Sequence, residues 1–122
     1  MIVGNKIPYV PENLNMKKAL KILTKKNLGF ILIQNNKKIT KGIITDGQIR
    51  RYSEKKENLY NMNVNEIMTK NPISIDKDAL AVKALSLMNE KKITSLCVHD
   101  KKNKGKTIGI LHIHTLLQVN PS

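Results

Sequence analysis

The sequence predicts an α+β fold made of two copies of one β-α-β-β-α unit, and three observations predict it. The chain repeats itself at a fixed offset, each copy runs through strand-like and helix-like stretches in the same order, and neither copy is long enough to bury a core alone. The 122 residues divide into a first repeat over 1–60 and a second over 61–122. Units of about 60 residues are marginal in isolation. The two are therefore expected to pack sheet to sheet with pseudo-twofold symmetry.

An offset of 65 places Lys18-Ala19-Leu20 on Lys83-Ala84-Leu85, Val10 on Ile75, Leu23 on Met88, and Leu28–Ile33 on Ile93–Val98. A two-residue loop insertion then makes the offset 67, which places Gly42-Ile43 on Gly109-Ile110 and Ile49 on Leu116. Identity is low, but the apolar pattern and the element order agree across five consecutive elements.

Each copy opens on a short extended piece, Pro8–Val10 or Ile73–Ile75, whose proline suits a strand start or a sheet edge. A helix follows. Leu14, Ala19, Leu20 and Leu23 form an apolar stripe near Asn15–Lys26, and Leu80, Ala84, Leu85 and Met88 form its counterpart, with Asp78 as the expected N-cap. Lys25-Lys26 and Lys91-Lys92 fall where cations complement the helix dipole. The apolar runs Phe30–Gln34 and Ser95–His99 read as buried strands. Polar turns follow at Asn35–Lys38 and Asp100–Lys106, then strands at Lys41–Ile44 and Thr107–Leu111. Final helices are expected over Gly47–Lys56 and Ile113–Val119, and Glu57–Lys70 connects the copies.

Composition narrows the function. The net charge is +13, but the basic residues are 20 Lys and only 2 Arg, and there are 14 Asn and 16 Ile. Reading of base edges leans on Arg, and joint excess of Lys, Asn and Ile is a chain-wide bias. One Phe and no Trp leave few stacking platforms for single strands. Nucleic acid is therefore not the expected partner, and a basic nucleic-acid binder is kept as a third reading that predicts steep salt dependence. The lone Cys97 forms no internal disulfide and reads as a small core residue, so a reducing, cytoplasmic setting is expected. No apolar run approaches the roughly 20 residues of a membrane span. His99, His112 and His114 do not make a metal set by spacing, because zinc takes three or four protein ligands. The Asp46-Gly47 pair reads as a helix-start preference rather than a catalytic acid.

Several short motifs carry a resemblance. Met68-Thr69 followed by Asn71-Pro72, the stretch Ile93-Thr94-Ser95-Leu96, and Gly42-Ile43-Ile44-Thr45-Asp46-Gly47 resemble the landmarks of a tandem CBS domain pair. The stretches Asn27–Phe30, Thr45–Arg51, Met88–Ser95 and Gly109–His114 are similar to the CBS pair at the C-terminus of D-arabinose-5-phosphate isomerases. The resemblance covers nearly the whole chain. It implies a regulatory module with no catalytic residues or metal of its own. It also implies a homodimer through the CBS pair, and an upstream sugar-isomerase domain in a full-length enzyme that serves lipopolysaccharide biosynthesis. A free-standing adenosine-nucleotide sensor is the alternative origin.

A CBS pair resembles a sensor with a small anionic ligand in the cleft between its repeats. The implied ligand-binding residues in the first copy are Lys6, Ile7, Gly29, Phe30, Gly42, Thr45, Asp46, Gln48 and Arg50. In the second they are Thr69, Asn71, Pro72, Ile73, Thr94, Ser95, Gly109, His112, His114 and Thr115. A glycine admits close backbone approach, and a hydroxyl beside helix N-terminal amides suits phosphate. The family's ribose carboxylate position holds Gln48 in one copy and Thr115 in the other, with His112 at the second hydroxyl position. Both carboxylates are thus absent, which weakens the case for AMP or ATP and favours a more anionic ligand such as a CMP-linked sugar acid, helped by surrounding Lys and a protonatable His112. The competing reading from a different class is a purely structural dimerisation module with no ligand.

Overall fold

Strands run where β-branched and aliphatic residues cluster, and helices where the apolar spacing switches to three and four. The computed structural model describes residues 2–3, 6–55, 58–100 and 102–113. Its elements in chain order are β1 (Ile2–Val3), β2 (Tyr9–Pro11), α1 (Met16–Lys26), β3 (Phe30–Gln34), β4 (Thr40–Thr45), α2 (Asp46–Glu54), a 3-10 turn (Leu59–Asn61), α3 (Val64–Ile67), β5 (Thr69–Lys70), β6 (Ser74–Asp76), α4 (Ala81–Lys91), β7 (Ser95–Asp100) and β8 (Asn103–His112). The fold is α+β, with two four-stranded mixed sheets.

The chain forms two compact units, Pro8–Pro72 and residues 1–7 joined by 73–122. These units are not coextensive with the sequence repeats. Residues 58–72 fold back onto the first unit, where Leu59, Val64 and Ile67 enter its core. Conversely, β1 pairs antiparallel with β8 through Ile2–Ile110 and Val3–Gly109, so the N-terminal strand belongs to the second unit.

In the unit Pro8–Pro72 the sheet order is β2-β3-β4-β5, with β2 and β3 parallel and β3, β4 and β5 antiparallel in turn. The crossover helix α1 joins the parallel pair, as parallel strands require. Its start is fixed by Asn15, whose side chain accepts from the Lys18 amide at 2.9 Å. Its end is fixed by Asn27 in the left-handed region at φ 53°, whose N–H reaches the Leu23 carbonyl. Met16, Ala19 and Leu23 of α1 pack with Val10, Ile31, Ile33 and Ile44 of the sheet. Phe30 and Leu32 alternate onto the opposite face and are buried as well.

The second unit repeats this plan with order β1-β8-β7-β6. Its core joins Ile75, Leu96 and Val98 to Ala84 and Met88 of α4. Two expectations are corrected here. Asp78 is not the N-cap of α4: the cap position is Leu80, with no side-chain bond, and Leu80 is 72% exposed rather than part of the stripe. The reason lies one turn upstream, where Asp76 Oδ1 accepts from the Asp78 amide at 2.9 Å and holds a separate turn. The polar run Asp100–Lys106 is not all turn. Asp100 pairs with Asn103 across a tight connection, and β8 starts there. The helix expected over Ile113–Val119 lies, beyond Ile113, outside the described residues.

Candidate functional site

The segments that the repeats place in equivalent positions make equivalent bonds. In the first unit Phe30 and Thr45 face each other across β3 and β4, and the Asp46 amide donates to the Gly29 carbonyl at 3.0 Å. In the second unit Ser95 and His112 face each other across β7 and β8, and the Ile113 amide donates to the Thr94 carbonyl at 2.8 Å. The Leu32 amide meets the Pro8 carbonyl at 3.0 Å, and the Cys97 amide meets the Ile73 carbonyl at 3.1 Å. Each unit thus gathers the start of its inner strand, the end of the next strand and the residue entering its first strand at one corner.

In the first unit this corner opens on the N-terminus of α2. Thr45 is its N-cap, so Asp46 is the first helical residue, placed where a carboxylate complements the dipole. The Thr45 hydroxyl accepts from the Gln48 amide at 3.4 Å, and the Gln48 side chain reaches back to the Thr45 N–H at 2.9 Å, closing a reciprocal capping box. Gly29 sits at φ +83°, a conformation that favours glycine, and a Cβ there would stand 3.5 Å from Asp46 Oδ2. Arg50 lies exposed further along α2.

Gln48 is buried, with 9% of its surface exposed. Its Nε2 donates to Thr69 Oγ1 at 2.9 Å and to the Ile67 carbonyl at 3.4 Å, and its Oε1 also accepts from the Thr45 hydroxyl at 3.3 Å. The amide is thus occupied by the protein's own chain. Gly42 is likewise closed from within: a Cβ there would lie 2.6 Å from Met68 Cγ and 2.9 Å from Met68 Cβ, and would meet its sulfur as well. Met68 is the residue that sequence reasoning overlooked at this position. Its signal was the Met68-Thr69 dipeptide, which entered the reading only as a landmark of the second repeat.

The remaining candidates divide between the units. Asn71, at φ 52°, donates its N–H to the Lys41 carbonyl at 3.2 Å, and Pro72 ends the first unit. Lys6 is exposed and Ile7 buried in the second unit, while Ile73 opens its main stretch. Gly109 is buried on β8 opposite Val98. His114 and Thr115 lie outside the described residues. His99 Nδ1 contacts Ser74 Oγ at 2.9 Å. Among the described residues no three His, Cys, Asp or Glu side chains assemble as a metal cage. Nor is any helix among them long and apolar enough to cross a membrane.

Two β-α-β-β units, the first with the capped helix α2 at its strand-end corner, define a tandem CBS module, and the family model for the CBS domain matches residues 2–55 and 64–121. The chain belongs to the CBS domain family. It is 35% identical over 118 residues to the arabinose 5-phosphate isomerase KdsD of Escherichia coli K12, covering 97% of this chain and 35% of that protein. It is 38% identical over 116 residues to KdsD of Francisella tularensis, covering 95% of this chain and again 35% of the relative. The chain therefore spans about a third of the length of the isomerases it matches, the stretch that carries their similarity to it. Two solved structures share the fold. CBSX2 in complex with AMP superposes with a TM-score of 0.83 at 22% identity, covering 98% of this chain and 90% of that one. The CBS domain pair of MJ0100 in complex with 5-methylthioadenosine and S-adenosyl-L-methionine does so at 0.82 and 23%, covering 97% and 90%.

Proposed function

We propose that this chain is the non-catalytic regulatory CBS pair of an arabinose 5-phosphate isomerase, that it senses a nucleotide or nucleotide-sugar ligand, and that it associates as a homodimer. One observation carries the ligand reading. The Gly29–Thr45–Asp46 corner and the Thr94–His112–Ile113 corner repeat the same strand register and the same amide-to-carbonyl bond, at 3.0 and 2.8 Å. Each presents a polar side chain, Thr45 or His112, at the end of a strand, and in the first unit this coincides with the start of a nine-residue helix whose amides favour an anion. Adenosine-type ligands in structural neighbours and the net charge of +13 support an anionic nucleotide. With no carboxylate at position 48, a CMP-linked sugar acid is the first alternative to AMP or ATP.

Isothermal titration with AMP, ATP and a CMP-linked sugar acid tests the reading. A saturable heat with any one of them is expected, together with a dimer mass by light scattering. A second reading, a structural dimerisation module without ligand, is favoured by the internal engagement of Gln48. It predicts a dimer that is silent to all three titrants.

A further inference from the structure

Ligands of open α/β sheets bind in the crevice beyond the carboxyl ends of parallel strands. In the unit Pro8–Pro72, β2 and β3 are such a pair and end together, Pro11 opposite Gln34. Beyond these ends lies a depression of about 430 Å³, lined among others by Tyr9, Glu12, Asn13, Gln34, Asn35 and Asn36. It is separate from the Thr45 corner. The strand β3 starts beside Thr45 at Phe30 and finishes at this depression, a span of roughly 13 Å at the usual rise per residue.

The lining mixes apolar groups, Val10, Pro11 and the Tyr9 ring, with polar side chains. Among the described residues, the side chains of Glu12, Asn13, Gln34 and Asn36 make no hydrogen bond. Asn35 is held in place, since its Oδ1 accepts from the amides of Lys37 at 2.9 Å and Ile39 at 3.0 Å. The second unit shows what the same corner looks like when it is closed. At the offset of 65, Ser74, Lys77, Asp78, His99 and Asp100 replace Tyr9, Glu12, Asn13, Gln34 and Asn35. The backbone turn is conserved between units: the Leu14 amide reaches the Pro11 carbonyl at 3.2 Å, and the Ala79 amide reaches the Asp76 carbonyl at 3.0 Å. Yet in the second unit the side chains bond one another, Ser74 Oγ to His99 Nδ1 at 2.9 Å and Lys77 Nζ to Asp100 Oδ2 at 3.3 Å. Glu12 and Asn35, which stand at the positions of Lys77 and Asp100, offer no such ion pair.

We propose that this depression binds the polyhydroxylated ring of a sugar or sugar phosphate. A carboxylate accepts from two neighbouring hydroxyls at once, and amides both donate and accept, which matches a ring that carries both functions on every carbon. The half-buried Tyr9 supplies an aromatic ring for the apolar face of such a ligand. The adjoining turn carries Lys37 and Lys38, both exposed, whose positive charge favours a phosphorylated form of such a ligand. This site goes beyond the nucleotide reading and does not depend on it.

Amide chemical-shift mapping of the full chain with arabinose, arabinose 5-phosphate and inorganic phosphate tests the proposal. Saturable shifts at Tyr9, Glu12, Asn13, Gln34 and Asn36 are expected from at least one sugar. Tighter binding of the phosphorylated form identifies a sugar phosphate as the ligand, and equal binding identifies the neutral ring. Glu12→Gln and Asn36→Ala, both at exposed positions, should each weaken that binding at least fivefold while the rest of the spectrum is unchanged. Silence at these residues, equal shifts from phosphate alone, or unaltered affinity in both variants would overturn the proposal. Shifts confined to Thr45 and Asp46 would do so too, while leaving the strand-end corner of the proposed function in place.

Discussion

Gln48 Nε2 donates to Thr69 Oγ1 at 2.9 Å, which ties the first turn of α2 to the strand β5, 21 residues further along the chain. The same side chain closes the capping box with Thr45 and meets the Ile67 carbonyl. One neutral amide therefore holds three segments together: the end of β4, the start of α2 and the exit from α3. A carboxylate at this position would accept from Thr45 and Thr69, but when ionised it would have no proton for the Ile67 carbonyl.

Gln48→Ala removes the cap partner and leaves the Ile67 carbonyl without its side-chain donor. A loss of about 2 kcal/mol is expected from the lost cap and the unmet polar group, read as a lower urea midpoint. Gln48→Glu should lose less at pH 4 than at pH 7, because the protonated acid recovers one donor. A midpoint within error of the parent for Gln48→Ala would show that the three segments are held by other contacts.

Gly42→Ala forces a methyl group into Met68. The nearest atoms include Met68 Cβ at 2.9 Å, which cannot swing aside without moving the backbone that pairs Thr69 and Lys70 with β4. Overpacking of this kind costs about 1–3 kcal/mol. Shortening the side chain in Gly42→Ala/Met68→Ala should give a double variant less destabilised than the sum of the two single changes. Strict additivity in thermal denaturation would exclude the Met68 Cγ and sulfur as the cause and leave only its Cβ.

Elements with a local signature were legible in the sequence. Phe30–Ile33 is an unbroken apolar run, and the strand expected over Phe30–Gln34 is β3 to the residue. The helix expected near Asn15–Lys26 is α1 at Met16–Lys26, with Asn15 as its N-cap. What the sequence hid depends on distant partners. Ile2–Val3 has no pattern of its own and becomes a strand only because Gly109 and Ile110 offer an edge. The polar run from Asn103 extends a strand because it crosses back beside Asp100. At the strand-end corner, the types at Thr45, Gly29 and Asp46 were readable, but the burial of Gln48 was not. That burial is imposed by the segment around Val64–Ile67 and Thr69 folding back over α2, and nothing at position 48 announces it.

The two α-helices that cross between parallel strands end in the same way, in left-handed residues at equivalent positions: Asn27 at φ 53° and Lys92 at φ 57°. Asn tolerates this region because its short side chain bonds locally, whereas Lys bears the full steric cost of its Cβ. Lys92 is exposed, so its replacement disturbs no core contact. Lys92→Gly is expected to stabilise the chain by about 0.5–1 kcal/mol, partly offset by the larger backbone freedom of glycine in the unfolded state. A rise in denaturation midpoint checks this, and a fall would mean that the Lys92 side chain contributes more than its backbone costs.

Cys97 is buried on β7, and burial, the larger effect, pushes its thiol from the ordinary value of 9.0 up to about 11, although a hydrogen bond with Thr107 pulls in the opposite direction. Two consequences follow from the sign of this shift. At pH 8 the thiolate is scarce and shielded, so alkylation of the native chain should be slow and should become fast only on unfolding. Because the folded pKa lies above the unfolded one, the neutral thiol's share of stability is complete below pH about 9 and is lost as the pH rises towards 11. Cys97→Ala has no ionisable group there, so its stability should fall less steeply than the parent's across that interval. Parallel pH profiles for the two proteins would show that the thiol is not the group that titrates.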